Sequence, residues 1–275
     1  MKIKKVLSAG MVHLILMGFV IISIFPLYWL FTTSLKPAAD VFSSDLLGFF
    51  QATLDNYKTV LFNDRFPDFL LNSVIISALT VAICIPIGCM AGYAFARLKM
   101  KRKDSWFFMI LTTRMAPAVT FAVPIYLMMC NLRLTDTKVG LVSIYVFMNM
   151  ALCIWLSRSF FEEVPIEIEE AAMVDGVSRF GAFLRFSVRI AGGGIVATAI
   201  LVFIFTWNEF FYASILTQNA AKTFTVHLTS FFGSKRILWG ELSAASVLGS
   251  LFPIVFALIT KKYIIRGLTM GAVKG

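Results

Sequence analysis

Apolar stretches separated by short polar ones run along most of the chain. Six of them approach the roughly 20 residues needed to cross about 30 Å of hydrocarbon as a helix: 11–31, 69–95, 106–130, 139–156, 191–216 and 241–260. Met1-Lys2-Ile3-Lys4-Lys5 ahead of the first stretch looks like the start of a signal peptide. The stretch is too long for a signal core and lacks a small-residue exit, so it reads as a retained helix. Pro86, Pro117, Pro124 and Pro253 fall inside these stretches and are expected to kink them. Between the stretches lie three informative loops: 32–68, with Asp40, Asp45, Asp55, Asp64 and Asp68 and room for short surface helices; 158–189; and a polar run at 218–222. The pattern predicts an all-α membrane protein of six transmembrane helices in one domain, 1–275.

Composition supports this. Of the 275 residues 59% are apolar and 15% charged, and mean hydropathy is +0.84; soluble domains run about 45–50% and about 25%. A soluble chain of this length has no interior large enough for so much hydrocarbon. Secreted disulfide scaffolds, disordered chains and ordinary cytosolic enzymes are excluded. The net charge of +10 does not indicate nucleic acid, because the basic residues flank the apolar stretches. With the N-terminus inside, sixteen Lys and Arg fall on the inner side, among them Lys2, Lys4, Lys5, Arg97, Lys101, Arg158, Arg185, Lys261, Lys262, Arg266 and Lys274, against eight outside. Positive residues favour the cytoplasmic side, so both termini are expected there. Cys84, Cys89, Cys130 and Cys153 form no CxxC, and His13 and His227 are far apart. They read as small buried hydrophobes, and no metal site is expected.

The loop 158–189 is expected to lie inside. Pro165 suits a first helical turn, Glu167, Glu169 and Glu170 sit near its positive end, and Gly176 is a natural left-handed stop. Ser178 caps a second helix whose Phe180, Phe183, Leu184 and Val188 recur at helical spacing. Helix, Gly turn, helix makes a rigid knob. Its Ala171-Ala172 pair permits close approach by another protein, whereas Phe180 and Phe183 fit an amphipathic helix lying on the inner leaflet. The residues alone leave both readings open.

A resemblance separates them. Glu170-Ala171-Ala172 with Asp175-Gly176 is similar to the EAA motif of ABC importer permeases, in the form found in MalG-type permeases of carbohydrate importers. Ser34-Leu35-Lys36-Pro37, Leu54-Asp55-Asn56-Tyr57, Asn72-Ser73, Ala91-Gly92-Tyr93-Ala94-Phe95-Ala96-Arg97, Trp207-Asn208-Glu209-Phe210 and Arg266-Gly267-Leu268-Thr269 resemble further parts of the same family, in order, over nearly the whole chain. The family's prolines after the motif are replaced here, where the run is Val188-Arg189-Ile190-Ala191-Gly192-Gly193-Gly194; the glycines are expected to make this helix start flexible.

The resemblance implies a type I ABC importer permease fold in a bacterial or archaeal inner membrane. It implies a sugar, oligosaccharide or polyol as cargo, a second permease of the MalF-like type, two cytoplasmic ATPase subunits and an extracytoplasmic solute-binding protein. Glu170, Ala171, Ala172, Asp175 and Gly176 would couple the chain to the ATPase, whose ATP and Mg are bound there; no cofactor is expected here. The chain has no G-x-x-x-x-G-K-[ST] loop and is not expected to be an enzyme. An ion-gradient-driven secondary transporter is the alternative, but its usual internal repeats and midplane acids are not evident.

Four polar residues within apolar stretches are candidates for the translocation path or gate. Arg114, eight residues past Trp106 and so about 12 Å deep, can line the conduit, pair with a neighbour or snorkel. Asn208 and Glu209 suit an outer gate, a packing role or solute contact. Asn72, with Ser73, suits bonds between helices.

Overall fold

The structure is a computed structural model that describes residues 2–42, 50–233 and 236–270, with side chains described for 11–42, 50–233 and 236–260. The side chains of Lys2, Lys4 and Lys5, Asp45, and the C-terminal motif from Arg266 lie outside the described residues. The described residues form helices, with one isolated antiparallel bridge, Phe232 to Ile237. In order they are α1 (Lys2–Ser34), α2 (Asp55–Lys58), α3 (Phe66–Arg97), α4 (Lys103–Thr112), α5 (Ala122–Asn131), α6 (Lys138–Glu162), α7 (Ile166–Val174), α8 (Arg179–Ala182), α9 (Val188–Ile190), α10 (Gly192–Trp207), α11 (Phe211–Leu216), α12 (Phe224–His227) and α13 (Trp239–Met270).

Four helical segments among the described residues are long and apolar enough to cross a membrane: Met11–Ser34, Phe66–Arg97, Lys138–Glu162 and Trp239–Thr260. A fifth results if the pair Arg179–Ile190 and Gly192–Trp207, bent by 77°, counts as one span. The stretch 106–130 is built from two helical pieces with a break between them. α4 stops at Thr112, the chain turns through Arg114 and Met115, and Pro117 is extended (ψ 132°) before a 3-10 turn leads into α5. The physical reason is Pro117, which lacks a donor and biases the preceding residue away from helix. Pro124, in the first turn of α5, costs little there, and Pro86 and Pro253 sit inside α3 and α13 without ending them. The expected span at 191–216 is likewise α10 and α11, separated at Asn208–Phe210. Gly192, Gly193 and Gly194 form the first turn of α10. The sharp bend falls at Ala191, and a side chain at Gly194 would collide with the Phe160 ring of α6.

The described contacts fall into two units. One holds the chain up to Pro67 and His227–Leu251. In it, two of the short motifs meet. The Asn56 amide of α2 donates to the Ser34 and Lys36 carbonyls (both 2.9 Å), the Tyr57 and Ser34 hydroxyls lie 2.7 Å apart, and the Thr53 N–H donates to Leu35 (2.9 Å). Gly240 lets α13 approach this knot, since a Cβ there would lie 2.6 Å from Asn56 Oδ1. Between Met11 and Ser34, the most apolar 18-residue window of α1 has no residue buried among the described residues.

The other unit holds Asp68–Val226 and the residues from Phe252. Its spine is the packing of α3 on α6. Gly88 and Gly92, one turn apart, face Cys153 and Ser157; a Cβ at Gly88 would overlap Cys153 Cβ, and one at Gly92 would lie 2.6 Å from Ser157 Cβ. Small residues at four-residue spacing let helix backbones approach where lipid offers no hydrophobic drive. Beside this contact pack Cys84, Cys153 and Val202 in one cluster and Cys89, Tyr93 and Phe161 in another, while Ile76, Leu141, Tyr145, Tyr212 and Leu216 form a separate one. Trp207 is buried and stacks between Phe203, Phe224 and Phe252 at 5.0–5.4 Å.

Candidate functional site

The helix–turn–helix expected at 158–189 is present. Pro165 precedes α7 in extended conformation (ψ 127°), Gly176 ends the turn at φ 85°, and Ser178 accepts from the Gly181 N–H at 3.2 Å. Two faces of α7 differ. Glu167, Glu170, Ala171 and Val174, at helical spacing, are exposed, Val174 at 87%. Glu169 and Ala172 point into the chain. The Ala pair is therefore divided, with Ala171 outward and Ala172 packed inside. Asp175 and Gly176 are exposed beside the outer face.

The inner face is held by a buried polar cluster. Glu169 accepts from Tyr93 Oη (2.7 Å), Arg97 Nε (2.9 Å) and Ser187 Oγ (2.8 Å), and Arg97 also donates to the Val164 carbonyl (2.5 Å). The Arg97 and Glu169 side chains are 10% and 4% exposed. A buried ion pair is favourable only when its remaining lone pairs and protons are satisfied, and here both partners have further bonds. Tyr93 and Arg97 stand one turn apart at the end of α3, so the cluster ties α7 to α3 and, through Ser187, to the turn before α9. Tyr93, Phe161 and Phe183 close over it. The sequence reading passed over Glu169 in favour of its neighbour. A helical wheel supplied the missed signal: Glu169 alone among the three Glu shares a face with Ala172.

A second feature is a cavity of about 920 Å³, mostly apolar, lined among others by Arg114, Phe121, Met148, Tyr145, Phe205 and Glu209. Of the four path candidates, Arg114 and Glu209 line it, while Asn208 and Asn72 do not. The Arg114 guanidinium lies 5.1 Å from the centre of the Phe205 ring. Glu209 accepts from Tyr145 Oη (2.6 Å) and from the Tyr212 and Ala213 N–H groups (2.9 and 3.2 Å). Its carboxylate thus satisfies the open donors at the start of α11. Asn208 is exposed and donates to the Ile204 carbonyl at 2.9 Å.

Asn72 belongs to a third arrangement, around residues 217–223. Its amide donates to the Ala220 and Lys222 carbonyls (3.1 and 3.0 Å), and Ser73 Oγ accepts from the Phe224 N–H (2.9 Å). Asp136, at φ 54°, accepts from the N–H groups of Gln218, Asn219, Ala220 and Ala221 at 3.0–3.1 Å. Burial pushes the Asp136 carboxyl up, but the four backbone donors outweigh it and hold it below the ordinary carboxylate value. Among the described residues no group of three or more His, Cys, Asp or Glu is placed to hold a metal.

Comparison with known proteins adds the following. Residues 84–269 match the family described as "Binding-protein-dependent transport system inner membrane component". The chain is 36% identical over 256 residues to the trehalose transport system permease protein SugB of Mycobacterium tuberculosis, covering 92% of this chain and 93% of the relative. It is 32% identical over 259 residues to the trehalose/maltose transport system permease protein MalG of Thermococcus litoralis, covering 93% of each. Its fold is similar to that of a chain in a bacterial ABC transporter involved in the import of the acidic polysaccharide alginate, with a TM-score of 0.80 at 22% identity, over 93% of this chain and 96% of that one.

Proposed function

The chain belongs to the family of binding-protein-dependent transport system inner membrane components, and from that premise we propose that it is the permease subunit of an ATP-driven importer whose cargo is a carbohydrate. Relatives named for trehalose and maltose transport support a sugar, oligosaccharide or polyol. The partners are a second, MalF-like permease, two cytoplasmic ATPase subunits and an extracytoplasmic binding protein. Lipid surrounds the assembly, and both termini face the cytoplasm. ATP and Mg belong to the ATPase subunits.

The observation that carries the reading is the two-faced α7. Its outer face of Glu167, Glu170, Ala171 and Val174 has no cover among the described residues, while its inner face is pinned by Glu169. An exposed face on a pinned helix is what a docked motor needs in order to push on the membrane segment. Glu170 and Asp175 offer carboxylates to basic groups of the ATPase, Ala171 allows close approach, and Gly176 sets the turn with a positive φ that other residues rarely adopt. Ala172 contributes by packing. ATP binding favours one of two global arrangements, and the pinned helix shifts the membrane helices with it. Arg114 and Glu209, on the wall of one cavity, are placed to meet cargo or to shape the gate.

Reconstitution tests this. The complex, purified with its partners and sealed into vesicles with the binding protein, takes up labelled sugar when ATP is supplied on the ATPase side and continues when ionophores collapse every ion gradient. Uptake that ignores ATP and follows an ion gradient would instead establish the secondary transporter.

A further inference from the structure

Helix α3 carries two clamps. Near one end Tyr93 and Arg97 hold Glu169 of α7. Near the other, Asn72 and Ser73 hold three backbone groups of the segment 220–224. Asn72 and Arg97 are 25 residues apart, roughly 38 Å along a helix. Both clamps are buried side chain to partner bonds that fix position, and neither joins the cavity lining. Between them α3 is braced, because Gly88 and Gly92 set its backbone against Cys153 and Ser157 of α6. Asp136 fixes the same 218–221 segment from the start of α6 with four N–H bonds, so the segment answers to α3 and α6 together.

We propose that α3 is a strut joining the ATPase-docking helix to the 217–223 loop, with Glu169, Arg97 and Asn72 as positioning residues at its two ends. The inference rests on the transport reading, which puts α7 inside and the loop outside. A displacement of α7 by the ATPase is passed by Glu169 to Tyr93 and Arg97, along the braced helix, and by Asn72 and Ser73 to the loop. Linkage makes the coupling reciprocal, so a protein docking on the outer loop biases α7 in turn.

The test reads the loop while the perturbation is applied at the far side. A nitroxide is placed at Asn219→Cys, an exposed side chain, in a Cys130→Ser background, and the complex with its partners is trapped with ATP, Mg and vanadate. In the wild-type background trapping changes the mobility of the label. With Glu169→Gln, which keeps the side chain's shape but removes the charge facing Arg97, the change falls by at least half while ATP hydrolysis persists. Asn72→Ala, at the opposite end, gives the same loss, and together the two variants do no more than either alone. A label that responds fully in both variants overturns the strut. If one variant fails to fold, the other decides. A wild-type complex that does not hydrolyse ATP removes the transport reading and the strut with it, one that hydrolyses ATP while its label stays unchanged overturns the strut alone, and one that does both isolates any failure in the variants to the strut.

Discussion

Gly88→Ala and Gly92→Ala each add one methyl group where α3 meets α6, and they are expected to differ in how they can be rescued. The new Cβ at position 88 overlaps Cys153 Cβ, while the next nearest atoms, the Cys153 carbonyl carbon and Cα, stand at 3.3 and 3.4 Å. At position 92 the neighbours are Ser157 Cβ at 2.6 Å, the Arg158 backbone N at 2.8 Å and the Ser157 carbonyl carbon at 3.0 Å. Carbon atoms pack best at about 3.5–4.0 Å, so both substitutions force the helices apart, at about 1–3 kcal/mol each. Removing the opposing side chain clears the first site but not the second, where backbone still blocks. Cys153→Gly is therefore expected to recover most of the loss from Gly88→Ala once its own cost, about 1 kcal/mol for Gly in a helix, is subtracted in a double-mutant cycle. Ser157→Gly recovers little of the loss from Gly92→Ala. Thermal unfolding of the detergent-solubilised protein measures both cycles. Alanine variants as stable as wild type, or equal rescue at the two sites, would refute the close contact.

Two further outcomes follow from the geometry. The depressed carboxyl of Asp136 stabilises the fold at pH values above the unfolded carboxyl's value, about 3.9, and this contribution is lost as pH falls through the lower folded value. A Tm series from pH 7 to pH 3 is expected to show Asp136→Asn well below wild type at neutral pH and the gap closing below about pH 4; a gap independent of pH contradicts the assignment. Asn56→Ala leaves the Ser34 and Lys36 carbonyls without their buried donor, at a cost of about 1–3 kcal/mol. A denaturation midpoint unchanged by that substitution would mean the knot is not formed.

Much of this architecture was legible in the chain. The apolar stretches located α1, α3, α6 and α13, and Gly176 and Ser178 marked the turn and cap after α7. The breaks were less visible, because hydropathy averaged over a span-length window measures transfer to lipid and not backbone continuity: Thr113 to Pro117 and Asn208 to Phe210 are short polar interruptions absorbed by their apolar flanks, while their backbone leaves the helix. Pro117 gave the one local clue. The motifs Ser34-Leu35-Lys36-Pro37 and Leu54-Asp55-Asn56-Tyr57 were noticed singly; that they bind each other is tertiary information. The same holds for Glu169, whose role depends on Tyr93 and Arg97 more than 70 residues away in sequence, and for Asp136, whose donors are backbone groups with no side-chain signature. That Asn72 is polar in an apolar stretch is plain in the sequence; that its amide donates to the Ala220 and Lys222 carbonyls of the 217–223 loop is not.

The claim on which the rest depends is that α7 docks a motor. The direct measurement is affinity purification of the tagged chain from detergent extract, with mass spectrometry of what accompanies it and an ATP hydrolysis assay of the product, for wild type and for Gly176→Arg. A Cβ at Gly176 meets nothing within 4 Å but would be strained at φ 85°, so the substitution distorts the turn and sets a bulky cation beside the docking face while leaving the core untouched. Recovery of a second permease and an ATPase with hydrolysis in the wild type, and loss of the ATPase and of hydrolysis in the variant at equal expression, is the predicted result. A chain that purifies without an ATPase, or a variant that retains both the ATPase and full hydrolysis, would contradict the account.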